Sequence, residues 1–275
     1  MTAPEAQPER GNRGLITGGS AGFGLALARI AAAQGMGVVL VARDAERLAT
    51  AADAIRSSTD GASVETVAAD LSVSGEGGRV IAEAAAAGPL DFVCHAAGFS
   101  TRGRIVETAR EDFERMIAIN FLAAAELAAA SAVQLAERRG RLVLIGSLAS
   151  RVAPANLGAY PASKHPVAAL AQQLRLEMGP AGLRALLVCP GPISRGDSGS
   201  RYDSQAEGLP AAARQPGGGA RVEALDPHDL ACRVLAASRA GKAELVTPRK
   251  ARLLFALSQL SPTLGDWLLR RSMRG

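Results

Sequence analysis

Aromatic side chains make up only 3% of the 275 residues, as six Phe, two Tyr and one Trp. Lysine is scarcer still, with three among 31 basic residues. So few rings leave little to stack nucleobases on. The arginines behind the net charge of +5 are scattered rather than gathered in a stripe, which argues against a nucleic-acid partner. The three cysteines, Cys94, Cys189 and Cys232, form no CxxC and no closely spaced set. They fit a reducing compartment and a role as small apolar core residues. His95, His165 and His228 lack metal-ligand spacing, so no metal is expected. The opening MTAPEAQPERGN shows no signal-peptide pattern and reads as a flexible polar tail over residues 1–11. No stretch of about 18 residues is both apolar and uncharged, so no membrane-spanning helix is expected.

What the chain has in quantity is apolar residues, at 48%. That supports one large core, and no repeat or low-complexity linker divides it. Seven short runs read as strands: GLIT, GVVLVA, SVETVAA, LDFVCHA, RLVLIGS, RALLVCP and AELVT. They are apolar throughout rather than alternating, so both faces should be buried. Ala-rich helical stretches separate them, which predicts an α/β doubly wound parallel sheet of about seven strands with helices on both faces. One stretch breaks the pattern, from Pro192 to Asp226. It is rich in Gly, Ser and Pro, and connections this long are functional or disordered. We expect it to cover a substrate, with Tyr202 in the wall and Leu209, Pro210, Arg195, Asp197, Arg201 and Asp203 mixed along it. Asp226 then caps a new helix with Pro227 at its first position. The segment 249–275 reads as two short amphipathic helices broken near Pro262.

Gly18, Gly22 and Gly24 lie between the first strand and first helix. Glycines there let the backbone turn sharply and approach a diphosphate, which the helix N-terminus attracts. At the tip of the second strand stand Ala42 and Arg43 rather than an acidic residue, which favours NADP(H) over NAD(H). Asp44 suits a helix cap. Asp70, after the third strand, suits either a contact to the adenine amino group or another cap.

Tyr160 and Lys164 are four apart, on one face of a predicted helix. Tyrosine can hand a proton to an alkoxide-like oxygen, but its free pKa of about 10 is high. A lysine ~5 Å away, at an effective dielectric near 20, contributes roughly 3 kcal/mol and would bring the phenol close to neutral pH. Ser147, at the end of the fifth strand, would orient the substrate oxygen. Asn120 is a poor helix former inside a helical run. Pro166, just after the lysine, should bend or loosen its turn.

Taken in order, these motifs resemble the short-chain dehydrogenase/reductase family over residues 12 to about 248. TGGSAGFG matches its glycine loop, HAAG stands where the family has NNAG, and YPASK carries the tyrosine and lysine. PGPIS, from Pro190 to Ser194, matches the turn beside the nicotinamide. The resemblance implies a Rossmann-type domain and a catalytic set of Asn120, Ser147, Tyr160 and Lys164. Asn120 would hold a water linking Lys164 to solvent. Cofactor contacts would come from Gly18, Ser20, Gly22, Phe23, Gly24, Arg43, Asp70, Leu71, Ala97, Gly98, Tyr160, Lys164, Pro190, Gly191 and Ile193. Two departures stand out. His95 and Ala96 replace the asparagines, and Arg195 replaces a threonine that bonds the carboxamide.

The expected protein is a cytoplasmic NADPH-dependent ketoreductase for a lipophilic carbonyl compound. Alternatives are the same machinery run as an alcohol dehydrogenase, or a low-turnover cofactor-binding scaffold or sensor. The family commonly pairs its two long helices across dimer interfaces, so a homo-oligomer (dimer or tetramer) is expected. The C-terminal helices would pack on the body or a second subunit, or touch a membrane surface.

Overall fold

All seven apolar runs form strands: β1 (Arg13–Thr17), β2 (Gly37–Ala42), β3 (Val64–Ala68), β4 (Phe92–His95), β5 (Arg141–Ile145), β6 (Arg184–Pro190) and β7 (Glu244–Thr247). The computed structural model describes residues 9, 11–195, 202, 205–214 and 222–273. The strands pair in parallel in the order β3-β2-β1-β4-β5-β6-β7, so the strand order reverses between β1 and β4. Ile16 faces Leu40 on one side and Cys94 on the other. The central strands are buried on both faces, as their composition predicts. Edge strand β3 differs: Val64 and Val67 are buried while Thr66 and Ala68 are exposed. One face of the sheet packs Leu15, Val93 and Leu142 under helices α5 (Ala123–Glu137) and α6 (Tyr160–Glu177). The other packs Ile16, Leu40 and Val143 under α1 (Gly22–Ala33) and α7 (Pro227–Arg239).

Local chemistry sets the helix boundaries. Asp44 accepts from Arg47 N–H and starts α2 (Ala45–Ser58), and Asp226 accepts from Asp229 N–H and starts α7. Helix α3 (Glu76–Ala87) has a glycine at its N-cap and borrows its cap. The carboxylate of Glu126 on α5 accepts from Gly75 and Gly77 N–H at 3.1 Å. Helix α4 (Arg110–Ile117) runs into α5 through a π-turn at Ala118–Leu122. The combined helix, Arg110–Glu137, is long and apolar enough to cross a membrane by length and composition, against the sequence expectation. Its Ala124, Leu127, Ala128 and Leu135 are fully buried against the sheet, which is the behaviour of a core helix.

Helix α6 runs unbroken through Pro166. The side chain of His165 bonds the Pro161 carbonyl at 2.8 Å and braces that turn. At the C-terminus, α8 (Ala251–Leu260) and α9 (Pro262–Met273) form the expected pair. Phe255 is buried against the body, while Leu253, Leu260 and Trp267 are exposed. Cys94 and Cys189 are buried core residues, and Cys232 is partly exposed.

Glu9 corrects the expectation of a flexible tail over residues 1–11. It is buried, and its carboxylate accepts two bonds from Arg141 at 2.7 Å and one from Arg239 at 2.9 Å. Burial alone would push this carboxyl up. The hydrogen bonds and charge of Arg141, helped by Asn12 and Arg239, outweigh it and hold the group below the usual range. Glu9→Gln, which leaves buried Arg141 without its anion, should lower the unfolding free energy by about 3 kcal/mol. Because the folded-state pKa is depressed, this stability is present above the unfolded value and is lost as pH falls through the folded one. Urea unfolding of both proteins at neutral and acid pH checks this, and a loss under about 0.5 kcal/mol at neutral pH, the range of an ordinary surface substitution, would contradict it.

Candidate active site

The glycine turn sits where β1 ends and α1 begins. Gly18 has a φ of +68°, and a Cβ there would stand 3.1 Å from the backbone of Ala97. A Cβ on Gly24 would collide with the Gly18 carbonyl. The turn is thus pressed onto the end of β4, with no room for side chains. Ala21, at the N-cap of α1, supplies no side-chain cap, so the first N–H groups of the helix remain available. This cradle fits a dinucleotide diphosphate. Phe23 is buried and lines the neighbouring cavity. At the adenine end, Arg43 Nη1 lies 3.9 Å from Asp70 Oδ2. Asp70 also accepts from the Ser72 hydroxyl and N–H, and the hydroxyl bond is the main cause of its lowered pKa. Asp70 is therefore already engaged in a turn. Leu71 beside it is buried.

Behind the glycine turn, the buried Thr17 hydroxyl accepts from Ala96 N–H at 3.1 Å and Ala97 N–H at 3.0 Å. It also lies 3.1 Å from His95 Nδ1, while His95 Nε2 lies 3.1 Å from the Ile119 carbonyl. A carbonyl only accepts, so the imidazole carries its proton on Nε2 and takes the Thr17 proton at Nδ1. Burial, with a smaller push from Lys164, lowers the His95 pKa to about 3. His95 thus pins the π-turn that carries Asn120. The Asn120 amide donates to the Phe99 carbonyl at 3.0 Å and to Ser163 Oγ at 2.9 Å, and accepts from Phe99 N–H at 3.2 Å. Both amide hydrogens are used within the protein, which leaves one Oδ1 lone pair for the expected water. A Cβ on Gly98 would collide with that oxygen.

Ser147, Tyr160 and Lys164 line one cavity of about 210 Å³. Ser147 caps a 3₁₀ turn: its hydroxyl accepts from Ala149 N–H, and its N–H donates to Ser150 Oγ, both at 3.1 Å. Its side chain is also near enough to Tyr160 to favour the ionised phenol. Lys164 is 4% exposed and donates to the Ile145 carbonyl at 2.8 Å. Burial pushes its pKa down to about 8. Tyr160 does not follow the expectation of a phenol drawn toward neutrality. Burial holds its pKa above the ordinary value, Ser147 opposes this, Tyr202 adds to it, and Arg102 and Arg195 pull it down. Desolvation is the larger effect here, and Lys164 is directed at a backbone carbonyl.

A family model for short chain dehydrogenases matches residues 13–205. The chain belongs to this family. It is an NAD(P)-dependent oxidoreductase acting on CH–OH and C=O groups. A Streptomyces violaceoruber protein, assigned as ketoacyl reductase 1 of the granaticin polyketide synthase, is 35% identical over 185 residues, covering 64% of this chain and 66% of that protein. Mouse 3-ketodihydrosphingosine reductase is 30% identical over 195 residues, covering 69% of this chain and 59% of the relative. The chain therefore spans somewhat less than two thirds of these relatives. The structure of a short-chain dehydrogenase from Sphingobium yanoikuyae in complex with NADPH is 28% identical with a TM-score of 0.75, covering 93% of this chain and 95% of that one.

Several residues of this dehydrogenase's cavity are not evident in its sequence. Ser163 takes the Asn120 bond and donates to the Tyr160 carbonyl at 2.8 Å, joining the π-turn to α6. Tyr202 does reach the cavity wall, and its hydroxyl is 2.7 Å from Ser100 Oγ. The Arg102 guanidinium stacks 3.6 Å from the centre of the Tyr202 ring and donates to the Ala213 carbonyl at 2.7 Å. Arg102 N–H donates to Gln205 Oε1 at 3.1 Å. The segment Ser100–Arg102 thus fastens the long connection over the cavity. That connection leaves and returns through mutual backbone bonds, Ser194 N–H to Leu225 and Leu225 N–H to Pro192, each 2.8 Å. Pro190, Gly191 and Ile193 line the cavity, whereas Asp197, Arg201 and Asp203 lie outside the described residues. Among the described residues, one exposed trio, Asp226, His228 and Asp229, brings potential metal ligands together, but Asp226 already serves as the cap of α7.

The His95 network makes a prediction about protonation. Imidazole NMR should show a neutral His95, protonated on Nε2, across about pH 5 to 8. A resonance from His95 that titrates within that interval would contradict the bond to Ile119.

Proposed function

We propose that this dehydrogenase works as an NADPH-dependent ketoreductase on a lipophilic carbonyl compound. Residues 12–248 would form the catalytic domain, with 192–226 as its substrate loop and 249–275 as an appended helical pair. The observation that carries the proposal is that Ser147, Tyr160 and buried Lys164 line one cavity, which Phe23 at the start of α1 also lines. NADPH, held by its diphosphate on the glycine turn, would supply the hydride chemistry. Ser147 holds the substrate oxygen, and Tyr160 gives it a proton. A phenol held above its ordinary pKa is fully protonated at neutral pH, which suits proton donation better than proton removal and favours reduction over oxidation. Lys164 supplies the positive charge beneath, and Asn120, through Ser163, fixes the helix end that carries Tyr160.

Arg43, exposed at the tip of β2 with a long 3.9 Å ion pair to Asp70, supports NADPH because its guanidinium can reach a 2′-phosphate from there. Phe99, Leu148, Pro154, Leu157 and Val222 in the cavity wall support an apolar substrate. The relative that acts on 3-ketodihydrosphingosine, by its name, is consistent with that.

In assays of NADPH oxidation over a panel of ketones, Tyr160→Phe should lower kcat/KM by about 10²-fold or more. Unaltered turnover would refute the mechanism. Arg43→Ala should weaken NADPH about tenfold and leave NADH alone, and equal losses for both would remove Arg43 from the 2′-phosphate site. The pH profile follows from Lys164. With a pKa lowered to about 8, it is charged below that value and neutral above it. The reductive kcat/KM should therefore hold up to that pH and then fall with unit slope. A profile flat to about pH 10 would show that the charge on Lys164 is not used.

A further inference from the structure

We propose that Arg195 is a diphosphate clamp, closing over the glycine turn from the substrate-loop side. The proposal rests on the reading of that turn as the dinucleotide cradle and extends it to a residue outside the turn. Gly22 opens α1 with a φ of +56° and is exposed. A Cβ on Gly22 would stand 3.7 Å from both Cζ and Nη2 of Arg195. The guanidinium therefore lies beside the first residue of α1, at the uncapped end of the helix.

The backbone that carries it is held in place. Ile193 pairs with Leu225, and Ser194 N–H donates to the Leu225 carbonyl at 2.8 Å. The side chain itself is exposed, and no carboxylate or carbonyl among the described residues bonds it. Like Tyr160 it lines the cavity, and its charge also acts on the phenol. A planar, permanently charged fork with no acceptor among the described residues, set beside the uncapped start of α1, makes a two-sided anion site with it. The helix end would bind one side of the diphosphate and Arg195 the other. Glycine suits this position because its φ of +56° is one that other residues rarely adopt.

The test is the dissociation constant, measured by calorimetry, of three ligands for the full chain and for Arg195→Gln and Arg195→Lys. The ligands are NADPH, 2′-phospho-ADP-ribose and adenosine 2′-monophosphate. The first two carry the diphosphate, and the third keeps only the adenosine end. Arg195→Gln should weaken the first two about tenfold and leave the third within about twofold. Arg195→Lys, which keeps the charge and loses the fork, should fall between. The salt dependence of NADPH binding should be shallower in Arg195→Gln. Because Arg195 is exposed, thermal unfolding should be the same for all three proteins. Unchanged or tighter binding of the diphosphate ligands in Arg195→Gln would overturn the clamp, and so would an equal loss for all three ligands. Failure of the unaltered chain to bind NADPH or NADH would overturn the cradle reading together with the clamp.

Discussion

The site is organised around one buried hydroxyl. Where the strand order reverses between β1 and β4, the ladder between them ends at Ile16 and Cys94. The next N–H groups on the β4 side, those of Ala96 and Ala97, have no strand left to pair with. Both turn to the Thr17 Oγ. A buried amide without a partner costs on the order of 1–3 kcal/mol, so two of them make a strong demand for an acceptor at this point. A hydroxyl can accept both and still donate, and its proton goes to His95. From there the order propagates. His95 fixes Ile119, the π-turn presents Asn120 to Phe99, and Ser163 carries the contact to the start of α6. The glycine turn packs on the same backbone, since Gly18 lies against Ala97.

Burial, more than charge, sets the acid–base character of this cavity. It raises Tyr160, lowers Lys164 and lowers His95, in each case by disfavouring the charged form. Coulomb attraction between Tyr160 and Lys164 would draw their pKa values apart, and a helical spacing of four suggests that this should dominate. The outcome is different because the phenol is buried beside Ser147 and the ammonium is bonded to the Ile145 carbonyl. Each polar group of the pair has a neutral partner. A neutral phenol and a lysine poised near the working pH make a set suited to delivering protons.

The sequence carries the fold clearly because a doubly wound sheet leaves a local signature. Strands such as GVVLVA must be apolar on both faces, and the glycine turn and the YPASK helix start each occupy a few adjacent residues. Strand β3 departs from this because it lies at the sheet edge, where one face meets solvent. The features that are not legible are pairs distant in the chain. Glu9 and Arg141 are 132 residues apart, and Ser100 and Tyr202 are 102 apart. Ser163 looks like a small spacer inside YPASK, and its importance depends on Asn120, 43 residues earlier. No local pattern signals such meetings. His95 is intermediate: its departure from NNAG is visible, but its bond to Ile119 belongs to the tertiary structure.

Pro166 shows how a helix can carry a breaker beside its working residues. Its missing N–H would have bonded the carbonyl of Ala162, and that loss with the ring clash costs about 3 kcal/mol in an ordinary helix interior. Ala162 and His165 are exposed, whereas Ser163, Lys164 and Val167 are buried. The broken bond is therefore on the solvent side, where water can satisfy the freed carbonyl. Tyr160 and Lys164 both precede the break. The Ser163 N–H keeps its bond to Ala159, and the Ser163 hydroxyl returns to the Tyr160 carbonyl. The face that must hold the proton donor is therefore fastened independently of the turn that proline weakens. Lys164 is held in addition by Ile145, from the neighbouring strand rather than from its own helix.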